Sequence, residues 1–363
     1  MLAIFFLVSC NQIEEQQNSI PNETLTPFST ATVTPTSTPK YWSRWSDLVV
    51  FKQMVVLSEF EAWIIGTEGT ILHGYPRFFW DTTPYEYSGE LNISEGGLSA
   101  IDFTSPDDGW MVSYWGEVFH WDGEKWTTLV PYSNLTTLQW YDLEFVDSGL
   151  GWMIGCDRKG GFFIPVIRKW NGVSWEDVGL NGIVPNGMCL FDIDVVNSTD
   201  AWIIGGEGMP GMAFDIYSGP FVLLHWDGVE WKNIPTQENR LLEQFYGWDK
   251  ISATSSTDLW ILNGQEDTVA HWDGSTWKNY SIPVSFYDET TGARPTIFAV
   301  APDDVWIGGK NLYHWNGDEW IDCNYDIEDN FIVDYETDPE GNVYALTLRG
   351  EVLRLWGETG PQY

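Results

Sequence analysis

The heptad HWDGEKW, residues 120–126, sets a histidine, two acids, a lysine and two tryptophans side by side, residue types suited to acid–base chemistry or to stacking on a sugar ring. Related phrases recur as KWNGVSW (169–175), HWDGVEW (225–231), HWDGSTW (271–277) and HWNGDEW (314–320). All five histidines of the chain, His73, His120, His225, His271 and His314, take the same place in a repeating unit. A metal site or a catalytic base needs groups that converge on one point. One histidine per repeat disperses them, which assigns the phrase to architecture.

The acids form a second pattern. Stretches that read as short strands carry DLEF (142–145), DIDV (192–195), DYET (334–337) and, in part, IDF (101–103). Alternation puts Asp142 with Glu144, Asp192 with Asp194, and Asp334 with Glu336 on one strand face. Carboxylates gathered in this way have two uses. They raise one another's pKa and recruit a cation, calcium being the candidate, or they accept hydrogen bonds from neighbouring backbone amides. Both readings stay open at this level. No Gly-x-Ser-x-Gly elbow, phosphate loop or His-Glu-x-x-His is present, so no catalytic residue, metal ligand set or cofactor is assigned.

The elements that carry these residues follow from the repeat. Each unit has a short apolar strand, a turn often bearing an acid, and a second strand entered at an aromatic, as in IDFTSPDDGWMV (101–112) and IFAVAPDDVWIG (297–308). A third strand ends in His-Trp or Lys-Trp, and an Asp-Gly or Asn-Gly pair leads into a fourth; such pairs predict type I′ hairpin turns with positive φ at both central residues. The second-strand aromatic falls at Trp63, Trp110, Trp152, Trp202, Trp260, Trp306 and Tyr344. Seven units of four short strands predict an all-β, seven-bladed β-propeller of antiparallel blades over 41–363. The seventh unit stops before its fourth strand, and RWSDL (44–48) fits the fourth-strand pattern, so this N-terminal strand is expected to close the ring. Tryptophans of the second, third and fourth strands then fill the gaps between splayed blades. Trp140 and Trp248 open innermost strands, where they serve either the core or a surface.

The phrases Asp-x-Trp-x-x-Gly and Trp-Asp/Asn-Gly-x-x-Trp resemble the BNR or Asp-box repeat group, including photosystem II assembly-factor-like propellers. The usual Asp-box has a Ser/Thr and a further Gly around the turn, which these repeats lack. The resemblance spans nearly all of the chain past residue 41 and implies a fold more than an activity.

Composition and the N-terminus supply an address. With 17 basic and 53 acidic residues the net charge is −36, which excludes phosphate-backbone binding and leaves nucleic acid out as a partner. The start MLAIFFLVSC is too short an apolar run to span a bilayer, and Leu7-Val8-Ser9-Cys10 resembles a bacterial lipobox. That resemblance implies a signal segment over 1–9, lipid attachment at Cys10, and an extracytoplasmic lipoprotein held to the membrane by its anchor alone. Residues 10–40, rich in Ser, Thr and Pro, read as a disordered tether reaching about 90 Å if fully extended.

In a propeller, second strands end on the face where the next blade begins. Cys156 then approaches Cys189, an oxidising location permits a disulfide between them, and Cys323 is expected to stay unpaired. The same face collects the long connections 205–221, 235–248 and 284–296, with Met209, Phe214, Tyr217, Tyr246, Trp248, Tyr287 and Arg294 as ligand-contact candidates. The expected function is a monomeric, membrane-tethered module that binds or scaffolds a protein or glycan on this face. The alternative is an exported glycosidase-like enzyme using the channel carboxylates.

Overall fold

The computed structural model describes residues 7–9, 49–74, 91, 93–94, 97–180, 182–207, 221–235, 248–263, 268–282, 295–326 and 331–356. Strand β1 (Leu7–Ser9) stands apart from the repeat in sequence. Blade 1 contains β2 (Phe51–Ser58), β3 (Glu61–Gly66) and β4 (Ile71–Gly74). Blade 2 follows as β5 (Leu98–Ser105), β6 (Asp108–Ser113), β7 (Val118–Trp121) and β8 (Trp126–Val130). Blade 3 has β9 (Leu138–Asp147), β10 (Leu150–Lys159), β11 (Phe162–Trp170) and β12 (Trp175–Val178). Blade 4 has β13 (Met188–Asn197), β14 (Asp200–Glu207), β15 (Phe221–Trp226) and β16 (Trp231–Asn233). Blade 5 has β17 (Trp248–Ser255), β18 (Asp258–Asn263), β19 (Thr268–Trp272) and β20 (Trp277–Ser281). Blade 6 has β21 (Thr296–Ala301), β22 (Asp304–Gly308), β23 (Asn311–Trp315) and β24 (Trp320–Asp326). Blade 7 has β25 (Ile332–Thr337), β26 (Val343–Thr347) and β27 (Val352–Trp356). Within each blade these strands pair antiparallel in chain order, and the first strands neighbour one another round the ring until β25 meets β2. The molecule is an all-β, seven-bladed propeller.

The core lies between blades. Seven apolar clusters each join one blade to the next. A second-strand tryptophan reaches forward to the two tryptophans that bracket the third-to-fourth-strand turn of the following blade. Trp63 lies 5.0 and 5.7 Å from Trp121 and Trp126, and Trp152 lies 5.6 and 5.7 Å from Trp226 and Trp231. Trp110 repeats the arrangement with Trp170 and Trp175, and Trp260 with Trp315 and Trp320. An indole is wide enough to fill a gap that opens outward, and each buries about 150–250 Å².

The histidines belong to this frame. Each sits across from the second-strand tryptophan and stacks on it or tilts against it, at 3.9 Å for Trp63–His73 and Trp260–His271 and 4.5 Å for Trp110–His120. Each Nε2 also meets the acid that opens the second strand: Glu61, Asp108, Asp200, Asp258 and Asp304 at 2.7–3.0 Å from His73, His120, His225, His271 and His314. Blade 3 has Lys169 opposite Trp152, and its ammonium lies 4.7 Å from the Trp226 ring of blade 4.

The Asp-Gly and Asn-Gly turns differ from the expected type I′. Among the described residues Glu68 alone combines a side chain with positive φ, whereas Gly123, Gly172, Gly228, Gly274 and Gly317 lie at 83–94°. The preceding Asp or Asn keeps ordinary φ because its side chain organises a four-residue loop. Asp122 Oδ1 accepts the N–H groups of Glu124 and Lys125 at 3.0 and 2.9 Å, and Asn171, Asp227, Asp273 and Asn316 do the same in their blades.

The strand beside β27 is also not the one expected. Residues 44–48 lie outside the described residues, and β1 pairs with β27 in parallel, Leu7 opposite Arg354. An open edge offers N–H and C=O groups to any extended segment, and this apolar one meets them. Among the described residues no helix is long and apolar enough to cross a membrane.

Candidate functional site

The innermost strands β2, β5, β9, β13, β17, β21 and β25 surround a central channel enclosing about 250 Å³. Aligning blades on the second-strand aromatic sorts its side chains into tiers. The lower tier holds Val55, Asp102, Glu144, Asp194, Ser252, Phe298 and Glu336, each directly across from that aromatic. Two residues earlier, the upper tier holds Gln53, Ala100, Asp142, Asp192, Lys250, Thr296 and Asp334.

Both tiers hook blade to blade. In the upper tier, Gln53 Oε1 accepts Ile101 N–H at 2.8 Å, Asp142 accepts Ile193 at 3.1 Å, Asp192 accepts Ile251 at 2.8 Å, and Asp334 accepts Met54 at 2.7 Å. In the lower tier, Asp102 accepts Phe145 at 2.7 Å, Glu144 accepts Val195 at 3.0 Å, Asp194 accepts Ala253 at 3.1 Å, and Ser252 Oγ accepts Ala299 at 3.0 Å. In every case the acceptor belongs to one blade and the donor to the next. The innermost strand has a free N–H edge because its other neighbour is the channel. A side-chain oxygen from the preceding blade supplies the missing acceptor. Between blades 6 and 7 the contact is Phe298 stacked on Tyr335 at 6.1 Å.

The carboxylates hold an unusual charge state. Burial pushes Asp102, Asp194 and Asp334 up to about 7. Burial also lifts Asp142, Glu144 and Glu336 well above the carboxylate range, with neighbouring carboxylates adding to it. Lys250 supplies the upper tier with a cation, its Nζ 2.6 Å from Asp192 Oδ1. Burial lowers the Lys250 pKa, but Asp192, Asp142 and Asp334 outweigh burial and leave it above the ordinary lysine value. Among the described residues no three His, Cys, Asp or Glu side chains gather in a metal-binding group.

A third tier rims the channel above these two. In six blades the innermost strand carries a β-bulge at one repeated position, occupied by Lys52, Ser99, Tyr141, Phe191, Asp249 and Val333. A bulge breaks the alternation and re-aims its residue. Lys52, Ser99, Tyr141, Phe191 and Val333 accordingly line the cavity beside the upper tier. Tyr141 meets Phe191 and Tyr114 edge to face at 5.6 and 5.7 Å, and Tyr114 meets Trp115 at 5.0 Å, making an aromatic crescent over blades 2 to 4. Lys52 Nζ donates to Leu98 O at 2.8 Å, and burial lowers its pKa to about 8.

The Cys156–Cys189 disulfide braces this crescent, with Cα atoms 5.0 Å apart and Phe163, Phe191 and Tyr141 packed around it. Cys323, expected to be unpaired, is disulfide-bonded as well. The lipid-attachment candidate Cys10 and the loop candidates Met209, Phe214, Tyr217, Tyr246, Tyr287 and Arg294 lie outside the described residues. Trp248 opens β17, its side chain outside the described set, whereas Trp140 is fully buried in the core between blades 2 and 3. Tyr141, Phe191, Lys52, Ser99 and Lys250 were not among the sequence candidates. Alignment of the blades on the second-strand tryptophan would have marked Lys250, which stands where Asp142, Asp192 and Asp334 stand.

Comparison with known proteins agrees on the class: the chain is a seven-bladed β-propeller. No protein-family model matches it, and no curated protein matches it. Among solved structures it is similar to YCF48 bound to D1 peptide, with 16% identity over 84% of this chain and 93% of that one and a TM-score of 0.60. YCF48 from Cyanidioschyzon merolae gives 14% identity over 84% and 95%, with a TM-score of 0.54. Inactive virginiamycin B lyase from Staphylococcus aureus with quinupristin gives 12% identity over 84% and 94%, with a TM-score of 0.57. At such identities the likeness is one of fold.

Proposed function

We propose that this propeller is a tethered extracytoplasmic binding module that engages a protein or glycan through the face carrying the channel mouth. The observation that carries the reading is the repeated bulge. Ring closure uses the two tiers below it, yet six blades give up ladder regularity at this position, and in five of them the bulged residue lines the mouth. Tyr141, backed by the buried Phe191, offers its ring to a sugar or an apolar side chain. Lys52 keeps N–H donors beyond the one given to Leu98 O, and Ser99 Oγ, whose hydrogen goes to Val112 O, offers an acceptor. The described strand ends that flank 208–220, 236–247 and 283–294 lie on the same face. One fold neighbour was captured with a peptide, and another, a lyase, with its ligand.

The glycosidase alternative draws less support. Both oxygens of Asp102 and of Asp142 accept backbone N–H groups, and Asp192 pairs with Lys250 and Ile251, so these groups are committed to structure. A general acid or a nucleophile needs an oxygen directed at substrate.

The test is to screen the purified chain and a Tyr141→Ala variant against glycan and extended-peptide arrays. Capture by the wild type, weakened about tenfold or more in the variant at unchanged thermal stability, supports the reading. Equal capture by both removes the mouth from the account. Glycan turnover that disappears in Asp192→Asn would establish the enzyme instead.

A further inference from the structure

The lower-tier acids clasp the ring and crowd one another at the same time. Asp102, Glu144, Asp194 and Glu336 face one axis from blades 2, 3, 4 and 7. The two channel lysines are engaged elsewhere, Lys250 with Asp192 of the upper tier and Lys52 with Leu98 O. The largest charge effects on Glu144 come from Asp194, Asp102, Asp142 and Glu336, and those on Glu336 from Asp334, Asp102 and Asp194. Every one is a carboxylate. Three of the four lower-tier acids, Asp102, Glu144 and Asp194, are also the acceptors that join blades 2 to 3, 3 to 4 and 4 to 5.

A protonated carboxyl still accepts a backbone N–H through its carbonyl oxygen. Protonation therefore leaves the clasp in place and removes the repulsion. Ionisation of all four keeps the clasp and adds like charges across one channel of about 250 Å³, directed so as to spread the blades. We propose that the lower tier is a proton-operated latch, which holds the ring shut when Asp102, Glu144, Asp194 and Glu336 carry protons and loosens the junctions of blades 2 to 5 when they lose them. The latch concerns the closure of the ring and stands or falls independently of what the mouth binds.

The direction follows from linkage. Burial raises these carboxyls in the folded chain, to about 7 for Asp102 and Asp194 and well above the ordinary range for Glu144 and Glu336. Between the ordinary carboxylate value near 4 and these raised values the folded chain binds more protons than the unfolded one. Stability contributed by the tier is therefore complete on the acid side and lost as pH rises through about 7.

Glu336 makes the test clean, because among the described residues its carboxylate accepts only its own neighbour Thr337 N–H and clasps no other blade. Thermal unfolding of the full chain is measured from about pH 5.5 to 8.5 for the wild type, for Glu336→Gln, and for Glu340→Gln, which removes the same charge from an exposed turn of the same blade. The wild-type Tm should fall by about 5 °C or more across this range. Glu336→Gln should lose less than half as much, and Glu340→Gln should follow the wild type. An infrared carbonyl band of protonated carboxyl groups should persist at neutral pH in the wild type and weaken as the Tm falls. A flat or rising wild-type Tm, equal flattening by both variants, or no protonated carboxyl at neutral pH would overturn the latch.

Discussion

The Asp334 carboxylate in the last blade accepts the backbone N–H of Met54 in the first, at 2.7 Å and across 280 residues of sequence. It belongs to the same tier as Gln53, Asp142 and Asp192, whose oxygens perform the same task at other junctions. One device, a side-chain oxygen answering a free amide of the next blade, therefore serves six of the seven junctions, including the one where the ring closes, and Phe298 on Tyr335 takes its place between blades 6 and 7. Asp334→Ala should lower stability by roughly 1–3 kcal/mol, because it leaves a buried N–H without an acceptor. Asp334→Asn retains an oxygen and should cost less than half of that. Denaturant midpoints of the two variants check the ordering, and equal losses would show that the contact is incidental.

The second-strand indoles contribute area more than hydrogen bonds. The third-strand indoles of Trp121, Trp170, Trp226 and Trp315 donate to backbone carbonyls, whereas the second-strand indole N–H groups of Trp110, Trp152, Trp202, Trp260 and Trp306 are buried with no acceptor among the described residues. Trp260→Phe should therefore cost well under the roughly 3–5 kcal/mol expected for Trp260→Ala. Chemical denaturation of both variants measures the difference.

The Cys156–Cys189 bond closes a segment of 33 residues between blades 3 and 4. The loop-closure model gives it about 3–4 kcal/mol against the unfolded chain. A Cys156→Ser, Cys189→Ser double variant should melt several degrees lower and lose order around Tyr141 and Phe191. Near-ultraviolet circular dichroism would report the aromatic change directly.

The anchor is tested through localisation. Cleavage before Cys10 would remove β1 and leave the β27 edge open, so the anchor and the β1–β27 pairing exclude each other in one mature chain. Cys10→Ser should move an anchored protein from the membrane fraction to the soluble fraction, and an unchanged distribution would end the lipoprotein reading.

Much of the ring was legible because its fillers are large and periodic. Tryptophans at Trp63, Trp110, Trp152, Trp202, Trp260 and Trp306 mark the second strand of six blades, and the first five are each followed by a bracketing pair in the next blade. The histidines were legible as architecture for the same reason. The mouth was hidden. Strict alternation places Tyr141 and Phe191 on the strand face opposite Asp142 and Asp192, and a one-residue bulge cancels that without any residue type to announce it. The turns misled in a similar way: Asp122 and its equivalents look like positive-φ residues, but their side chains cap the loop and leave that conformation to glycine.

Amide hydrogen exchange at the clasp donors tests the central claim most directly. If the channel acids hold the blades together, the N–H groups of Met54, Phe145, Ile193, Val195, Ile251 and Ala253 should exchange as slowly as the mid-blade ladder amide of Ile203. Exchange as rapid as that of the exposed turn amide of Glu124 would contradict the account, and would return those carboxylates to the pool of groups available for chemistry.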